Sequence, residues 1–402
     1  MNERVLVRSL GELTTLISSG STPKGGAETY LEQGPVMFIR SQNVRMNQLT
    51  LDDVAFITEE VDATLKRTRL QRGDVLLNIT GASIGRVAPF TADARANVNQ
   101  HVCVIRPNPA TLEQRYLAHL IASPEFQGEI DRLQHGGTRQ ALTFSQIASF
   151  QIPLRPLPEQ RRIAEVLDRA EALRAKRRAA LGQLDTLTQS IFLDLFGDPK
   201  TNAKRFPEVP MAALFAAKPI FGTMIPPAAG AGAWVSLRVA NIQDWRLDLS
   251  DQKHVALPAS AVDRHSVRDG DLLMARAIAS QEHLGKAVIA YPGDRKWAFD
   301  SHLMRLRFKL DRAIPEFIRH LLMTPGGRQL FLKASRRSAV QFNINTKEMA
   351  ELRIPVPPIA LQREFVRRLA VVEVIGTAQR RSLAELDALF ASLQHRAFRG
   401  EL

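Results

Sequence analysis

Short apolar runs alternate with turn-forming residues in the first part of the chain. The runs Val36–Arg40, Val75–Ile79 and His101–Ile105 are rich in β-branched side chains and lie between turn signals, so they predict strands. A helical pattern follows at Tyr116–Ala122, and the Ser-Pro pair directly after it predicts its end. Short strands and helices mixed in one segment predict an α+β domain.

Two long stretches combine many charges with apolar residues at helical spacing. The first predicted helix runs from about Glu159 to Leu195 and stops at Gly197, and the second runs from about Leu361 to Phe398. An apolar repeat of seven residues, sustained over about five heptads, predicts coiled-coil pairing. The predicted pairing positions are Ile163, Ala170, Leu184 and Ile191 in the first helix and Phe365, Val372, Leu386 and Leu393 in the second. Two unrelated amphipathic helices are the alternative.

The two halves of the chain repeat each other at an offset near 200 residues. Residues 150–156 align with 352–358, and residues 72–77 align with 269–274. A two-fold axis relating the halves would make the long helices antiparallel. We therefore predict two repeated α+β domains separated by two long helices that pair as an antiparallel coiled coil. The predicted segments are a domain at 1–158, a helix at 159–199, a domain at 200–358 and a helix at 359–402.

Length and composition restrict the class of protein. A chain of 402 residues fits two or three domains, and 45% hydrophobic with 24% charged residues is typical of a soluble globular protein. No apolar stretch approaches the roughly 18 residues of a membrane-spanning helix. The charged start Met1–Arg8 does not fit a signal peptide, and the single Cys103 argues against disulfides. We expect a cytoplasmic protein without a membrane partner.

The charge of the chain is strongly basic and unevenly placed. Lys and Arg number 54 against 41 Asp and Glu, a net charge of +13. Residues 200–358 hold 24 basic and 14 acidic side chains, so this segment carries +10 of the surplus. A surplus of this size fits a polyanionic partner, either nucleic acid or an anionic membrane surface. Ordinary solvated surface charge is the alternative.

Several motifs that resemble catalytic or metal sites are incomplete. Gly81–Gly85 has the spacing of a nucleophile elbow, but the residues after it predict a strand, so a hairpin turn is expected. Asp251 and Lys253 resemble the end of a nuclease site, although such a triplet is common by chance. His283 and His302 have no partners at metal-ligand spacing. The sequence therefore predicts no catalytic residue and no metal site in this chain.

Polar and basic side chains cluster in loops at equivalent places in the two halves. Arg40 and Asn43 align with Arg238 and Asn241. Arginine suits guanine, glutamine and asparagine suit adenine, and hydroxyls and guanidinium groups suit phosphate. The predicted nucleic-acid contacts are Thr22, Lys24, Arg40, Gln42, Asn43, Ser83, Arg139, Arg238, Asn241, Arg276, Arg336 and Arg337. Surface loops are polar in most proteins, so ordinary solvated loops are the alternative.

The sequence resembles the specificity (S) subunits of type I restriction–modification systems. The residues that carry the resemblance are Ile152–Ile163, Arg72–Leu77, the Gly81–Gly85 turn and Gly136–Gln140. The resemblance covers nearly the whole chain, including the repeat. The second half departs from it at Leu361, where the first half has Glu159, and at 278–284, which replaces the compact Gly81–Gly85 turn.

The resemblance implies two target-recognition domains, held apart by the long helices, that each read one half of a split, asymmetric site in double-stranded DNA. It implies no catalysis and no cofactor in this chain. The implied partners are two modification subunits, which methylate adenine with S-adenosylmethionine, and restriction subunits, which use ATP and magnesium to translocate and cut DNA. Two alternatives come from other classes: a coiled-coil adaptor that binds only proteins, and a lone methyltransferase or nuclease.

Overall fold

The structure is a computed structural model that describes residues 6–134, 141–226, 232–243, 245–278, 285–337 and 342–402. The strands of the first half are β1 (Leu6–Ser9), β2 (Thr14–Ser19), β3 (Val36–Ile39), β4 (Val44–Arg45), β5 (Gln48–Leu49), β6 (Ala55–Ile57), β7 (Val75–Asn78), β8 (Val87–Pro89), β9 (Ala96–Val98), β10 (Val102–Pro107) and β11 (Gln151–Leu154). Its helices are α1 (Glu59–Thr64), α2 (Gln114–Ile121), α3 (Pro124–Gln134), α4 (Phe144–Ala148) and α5 (Leu157–Phe196).

The second half repeats this order of elements. Its strands are β12 (Glu208–Pro210), β13 (Phe215–Phe221), β14 (Trp234–Leu237), β15 (Ile242–Gln243), β16 (Arg246–Leu247), β17 (Lys253–Val255), β18 (Asp271–Ala275), β19 (Ala277–Ile278), β20 (Ala287–Ala290), β21 (Trp297–Phe299), β22 (Leu303–Phe308), β23 (Arg336–Arg337), β24 (Phe342–Asn343) and β25 (Arg353–Pro355). Its helices are α6 (Ala259–His265), α7 (Pro315–Met323), α8 (Pro325–Ala334), α9 (Thr346–Glu351) and α10 (Ile359–Arg399).

The sheets of the two halves have the same topology. A four-stranded sheet has the order β2-β10-β7-β8 in the first half and β13-β22-β18-β20 in the second. A three-stranded sheet has the orders β6-β3-β9 and β17-β14-β21, and β3 is parallel to β9 as β14 is to β21. β1 pairs with β11, and β12 pairs with β25, next to the start of each long helix. The mixed helix and sheet content and this repeated topology agree with the predicted α+β duplication.

A buried ion pair joins neighbouring strands of each four-stranded sheet. Asp74, just before β7, is 1% exposed, and Arg106 of β10 binds both of its carboxylate oxygens at 2.7 and 2.8 Å. Arg307 binds Asp271 in the same way at 2.7 and 2.7 Å. A carboxylate removed from water requires such a partner because an isolated buried charge is costly. The alignment of 72–77 with 269–274 therefore reflects a structural ion pair.

A buried glutamine fixes the start of each long helix to its α+β domain. The Gln160 side chain accepts a hydrogen bond from the Glu113 N–H at 2.8 Å and donates to the carbonyls of Thr111 and Arg155 at 2.9 and 2.7 Å. Gln362 repeats this arrangement with the Ile314 N–H and two carbonyl groups. Both side chains are fully buried. These hydrogen bonds hold the Pro-rich segment and the first turn of each long helix in a fixed position against the domain.

The two long helices match their predicted ranges to within two residues at either end. α5 has 40 residues and α10 has 41. Gly197 and Gly400 follow them with φ of +73° and +81°, the left-handed conformation in which glycine commonly ends a helix. At about 1.5 Å per residue, each helix is roughly 60 Å long. Among the described residues, no helix combines the length and apolar content needed to cross a bilayer.

The chain divides into two compact units, and the division passes through both long helices. The first unit comprises 1–178 and 381–402, and the second comprises 179–380. The predicted segments instead treated each long helix as a separate piece. Inside the first unit, the start of α5 runs antiparallel to the end of α10. Arg162 donates to the Leu402 carbonyl, and Arg174 pairs with Asp387 at 2.6 Å, so the partner residue number falls as the α5 number rises.

The last turns of α10 complete the core of the first unit. Phe390 and Ala397 are buried in the same apolar cluster as Leu10 and Tyr116. Gln394 is buried and donates to the His119 carbonyl at 2.9 Å. Ile163 and Ala170 of α5 belong to this cluster, and Leu393 packs against it. Ile163, Ala170 and Leu393 therefore lie in or against one apolar cluster that both long helices share with the α+β core.

In the second unit, the helix pair is centred on aromatic side chains. Phe192 of α5 lies with its ring centroid 5.5 Å from that of Phe365 of α10, and both belong to the core that contains Phe317. Ile191 packs against the same core. Val372 is buried, whereas Leu184, and Leu386 of the first unit, are half-buried. The predicted pairing positions thus include residues buried in or packed against the core of a unit and residues that are only half-buried along the helices.

His320 of α7 gives the second unit a sensitivity to acid. Its Nδ1 lies 2.7 Å from the Glu316 carbonyl, and burial, followed by the nearby Arg319, lowers the pKa of the ring to about 3. The unfolded chain binds the proton near pH 6.5, so stability is retained above that pH and lost as the pH falls towards 3. At about 1.4 kcal/mol per pH unit, acidification to pH 5 should cost the second unit about 2 kcal/mol.

We expect His320→Gln to flatten the dependence of stability on pH between 6.5 and 5, measured by urea unfolding at a series of pH values. His302 lies in the same unit with 63% of its side chain exposed, so His302→Gln is the matched control. Equal slopes for the wild-type chain and His320→Gln would contradict the expectation.

Candidate nucleic-acid interface

Four loops of the first unit meet at one end of its two sheets. β3 and β9 are parallel, so the loops that follow them lie at the same end. β10 is antiparallel to β2 and to β7, with Cys103 opposite Ser19 and Val102 opposite Asn78, so the end of each partner strand lies beside the start of β10. The segments after β2, β3, β7 and β9 are therefore neighbours. Most of the polar loop residues predicted for the first half lie on them.

Side-chain hydrogen bonds connect these loops. The Thr22 hydroxyl donates to the Gln100 side chain, whose Nε2 lies 2.9 Å from His101 Nε2. His101 Nδ1 lies 2.5 Å from the Thr80 hydroxyl. The chain of contacts runs from the loop after β2, through the loop before β10, to the turn after β7. These contacts fix the positions of the polar groups before any ligand binds.

An open groove of about 460 Å³ lies on this end of the unit. Its lining contains hydroxyls, an amide, an imidazole and two guanidinium groups, supplied by Ser41, Gln42, Arg45, Thr80, Gly81, Ala82, Ser83, Arg86 and His101. Among the described residues, no carboxylate lines the groove. Guanidinium and hydroxyl groups suit phosphate, and an amide beside them can read a base edge. We call this surface the first-unit groove.

The corresponding loops of the second unit carry different side chains. Arg276 occupies the position of Ile79, because their backbone N–H groups donate to the carbonyls of the aligned His302 and His101. The Arg276 guanidinium donates to the Ser301 carbonyl at 2.8 Å and lies 4.0 Å from the centroid of the Phe221 ring. Burial lowers the pKa of this guanidinium. The second unit thus presents a cation where the first has an apolar side chain.

Comparison with known proteins finds similarity to one family of DNA specificity proteins. Residues 2–183 match the family described as "Type I restriction modification DNA specificity domain". The EcoKI specificity subunit, from a type I restriction enzyme of Escherichia coli K12, is 23% identical over 418 residues, which cover 99% of this chain and 89% of that protein. The first part of the chain thus matches this specificity domain, and the whole chain is similar to a type I specificity subunit. This agrees with the resemblance drawn from its motifs.

Solved structures of specificity subunits share the fold. A crystal structure of the type I restriction–modification S subunit from M. genitalium matches with a TM-score of 0.58 and 14% identity, over 99% of this chain and 96% of that one. A chain from work on complex assembly and conformational transition of the type I R-M system matches with a TM-score of 0.53 and 19% identity, over 99% and 98%. At these identities the likeness concerns the fold alone.

Three of the predicted contacts line the first-unit groove or join the hydrogen-bonded network beside it. Gln42 and Ser83 line the first-unit groove, and Thr22 takes part in the hydrogen-bonded network. Lys24 is exposed on the loop after β2. The Gly81–Gly85 segment is a turn between the antiparallel strands β7 and β8, as the sequence predicts, and not a nucleophile elbow.

Asn43 and Asn241 are corrected from base-reading residues to structural ones. Asn43 is 2% exposed, accepts from the Arg40 N–H at 2.9 Å and donates to two carbonyls at 3.1 and 3.2 Å. Asn241 is 3% exposed and accepts from the Arg238 N–H at 3.0 Å. A side chain enclosed by its own loop cannot reach a base edge. Their recurrence in the repeat reflects a common turn.

The two aligned arginines are also engaged within their own loops. Arg40 donates to the Asp53 carbonyl at 3.1 Å and lies 5.6 Å from the Tyr30 ring centroid. Arg238 donates to the carbonyl and the carboxylate of Asp251, both at 2.9 Å. The Arg238 hydrogen bond lowers the pKa of the Asp251 carboxyl, so the carboxylate that resembled a nuclease residue serves as an ion-pair partner.

The remaining predicted contacts, Arg139, Arg336 and Arg337, follow α3 and α8 in the sequence. Arg139 lies outside the described residues. Arg336 and Arg337 form β23, whose backbone pairs with β24 in antiparallel orientation. Sequence reasoning missed Arg45, Arg86 and His101 as groove residues. Arg45 and Arg86 could have been found from the sequence, since each adjoins a loop that the polar pattern selects, whereas His101 is brought to the groove only by the fold.

Proposed function

We propose that this chain is the DNA-recognition subunit of a type I restriction–modification complex and that each unit reads one half of a split, asymmetric site. The observation that carries the proposal is one loop framework built twice with different side chains. The Asp74–Arg106 and Asp271–Arg307 pairs and the two buried glutamines repeat the framework. Two recognition domains that share one framework but carry different loop side chains suit two half-sites of different sequence.

The differences between the units extend into the sheets. Arg305 occupies the position of Val104 in the first half. Val104 lies opposite Leu76 and Arg305 lies opposite Leu273, and these two leucines align in the repeat. Its guanidinium donates to the carbonyls of Arg264 and Ser266 at 3.0 and 2.9 Å, and burial lowers its pKa to about 10. Residues 200–358 also carry +10 of the net charge. The second unit should therefore contribute more of the salt-sensitive affinity for the DNA backbone.

We propose that the methylation and cleavage reactions take place in partner subunits. Two modification subunits would transfer methyl groups from S-adenosylmethionine, and restriction subunits would use ATP and magnesium. The relatives support this division because they are named as specificity subunits of type I restriction enzymes.

The long helices offer surfaces for such partners. Leu173 and Leu389 in the first unit are 51% exposed, and Val371 and Val374 in the second are 62% and 72% exposed. Large apolar side chains left exposed on helices are typical of protein–protein contacts. We propose that the antiparallel helices hold the recognition domains apart and bind the modification subunits.

Binding of the purified full chain to random duplex DNA across a salt series tests the proposal. We expect affinity to fall steeply as salt rises, because phosphate contacts release counterions. Addition of the modification subunit should then produce methylation confined to one bipartite sequence. A chain that binds the modification subunit but shows no salt-dependent DNA binding would be a protein-only adaptor, and robust methyl transfer by the chain alone would make it an enzyme.

Gln42 provides a test of base reading in the first-unit groove. Its amide is exposed and its Nε2 donates to Asp53 at 2.9 Å. We expect Gln42→Ala to weaken discrimination in one half-site only, by about 1–3 kcal/mol if the contact to the base is bidentate. Binding to a library of half-site variants measures this effect.

Gln71 is the matched control for Gln42, because it is exposed and precedes β7, at the opposite end of that strand from the groove. Gln71→Ala should leave both half-sites unchanged. If Gln42→Ala weakened binding equally on every sequence, Gln42 would contact the DNA backbone and not a base.

A further inference from the structure

A cavity of about 490 Å³ lies inside the second unit. It is formed by the second half of α5, the end of α7, the first half of α10 and Arg246 of β16. Its volume is within the range of roughly 300–1,000 Å³ that small-molecule sites occupy. The cavity is separate from the loops assigned to DNA, and its lining is rich in guanidinium groups.

Three arginines line the cavity around one glutamate. Arg246 donates to both carboxylate oxygens of Glu373 at 3.2 and 3.3 Å, and Arg380 donates to Glu373 at 3.2 Å. The third, Arg319, makes no ion pair within the described part of the chain. The other acidic group in the lining is Asp185, which is exposed. The cationic groups of the lining therefore exceed its acidic groups by one.

Arg319 is the least satisfied of these cations. Its Nε is buried and has no hydrogen-bond partner among the described residues. Burial lowers the pKa of its guanidinium, while attraction to Glu373 and Glu316 opposes that change. Glu316 itself accepts a hydrogen bond from the Tyr291 hydroxyl at 2.5 Å. A buried guanidinium with an unused donor is costly unless a ligand supplies the acceptor.

Part of the equivalent space in the first unit is filled by two large side chains. Arg174 aligns with Gly376, and Phe390 aligns with Thr188. The Arg174 guanidinium lies 4.3 Å from the Phe390 ring centroid and pairs with Asp387 at 2.6 Å. The second unit thus has glycine and threonine where the first has two large side chains. This difference between the repeats lets the cavity of the second unit extend between α5 and α10.

The first unit has a cavity at the equivalent place, because His119, Glu171 and Arg178 of its lining align with His320, Glu373 and Arg380. It measures about 420 Å³, and its two arginines are both paired with acids that also line it. Arg115 binds Asp168 at 2.9 Å, and Arg178 binds Glu171 at 3.0 Å. Unused cationic donors therefore distinguish the cavity of the second unit.

We propose that the cavity around Arg319 binds a phosphate group. Guanidinium groups present donors in a planar fork that matches phosphate oxygens, and a buried site strengthens such charge-assisted hydrogen bonds. A phosphate oxygen would accept from Arg319, while Arg246 and Arg380 would share their donors between the ligand and Glu373. The phosphate is either the free ion or part of a nucleotide, and the volume accommodates both.

Isothermal titration of the full chain with inorganic phosphate and with AMP, at constant ionic strength and without DNA, tests the proposal. We expect one saturable site per chain. Arg319→Met should weaken binding at least about tenfold, because a hydrogen bond to a charged group is lost. Binding of AMP alone would identify nucleotide phosphate as the source, and binding of phosphate in both forms would identify the free group.

Gly376→Arg is the decisive variant. It introduces the arginine of the first unit, with Asp185 aligned to Asp387 as its partner, so the chain is expected to fold and the cavity to become narrower between α5 and α10. Because this change adds a positive charge, general attraction of anions to a basic protein would increase, whereas binding in the narrowed cavity would weaken. Arg381→Gln removes a cation that is 83% exposed and should leave binding unchanged. Absence of saturable binding in the wild-type chain, or full binding in Gly376→Arg, would overturn the proposal.

Discussion

Insertion of one heptad into both long helices, after Arg178 and after Arg380, is expected to lengthen the spacer between the two DNA half-sites by about three base pairs. The two compact units divide at these positions, so the insertions leave the contacts inside each unit intact. Seven residues add about 10.5 Å of helix, and B-DNA advances about 3.4 Å per base pair. A heptad also returns each helix face to within about 20°. Methylation mapping in cells with the modification subunit measures the spacer.

Insertion into α5 alone is the control for the paired change. It should put the helices out of register at one end and lower the thermal stability of the chain, since contacts such as Arg174–Asp387 and Phe192–Phe365 cannot both be kept. The variant with both insertions should no longer methylate the original site and should instead methylate a site with the longer spacer. A paired variant that folds, methylates and retains the original spacer would show that the helices do not set the distance.

Asp74→Ala is expected to lower the free energy of unfolding of the first unit by about 3–5 kcal/mol. Asp74 is 1% exposed, and its loss leaves the Arg106 guanidinium, 22% exposed, without its carboxylate. Removing one partner of a buried pair costs more than the pair contributes, because the remaining charge stays desolvated. Urea unfolding followed by circular dichroism measures the change.

The positions of the tryptophans allow the two units to be followed separately. Trp234, Trp245 and Trp297 all lie in the second unit. Asp271→Ala should therefore shift the fluorescence transition, whereas Asp74→Ala should shift only the part of the circular dichroism signal that belongs to the first unit. Asp93→Ala, at an exposed position, should change neither. A fluorescence shift in Asp74→Ala as large as that in Asp271→Ala would mean that the units do not unfold independently.

The sequence predicted the features that depend on pattern. The lengths of α5 and α10 follow from apolar spacing and from the glycines that end them, both of which are local. The duplication follows from alignment of the halves, and the repeated sheet orders agree with it. The hairpin at Gly81–Gly85 follows from the apolar run after it.

Individual side-chain roles were harder to predict, because they depend on where a loop folds back. Asn43 and Asn241 have the chemistry of base readers, yet each closes its own turn and is buried. Alignment of a residue in both halves identifies a shared function but cannot distinguish a contact to DNA from a contact to the backbone. Arg45 and Arg86 adjoin loops that the polar pattern selects, but the groove that gathers them forms only where four strand ends meet.

The order in which the ribosome delivers the chain has a consequence for folding. The second unit is continuous in sequence, so it can close once residue 380 has left the exit tunnel. The first unit begins earlier but lacks Phe390, Gln394 and Ala397 until the end of translation. The unit that is synthesised first therefore completes its core last. A message truncated before these residues would yield a folded second unit beside an open apolar core, which is the kind of product that quality-control proteases remove.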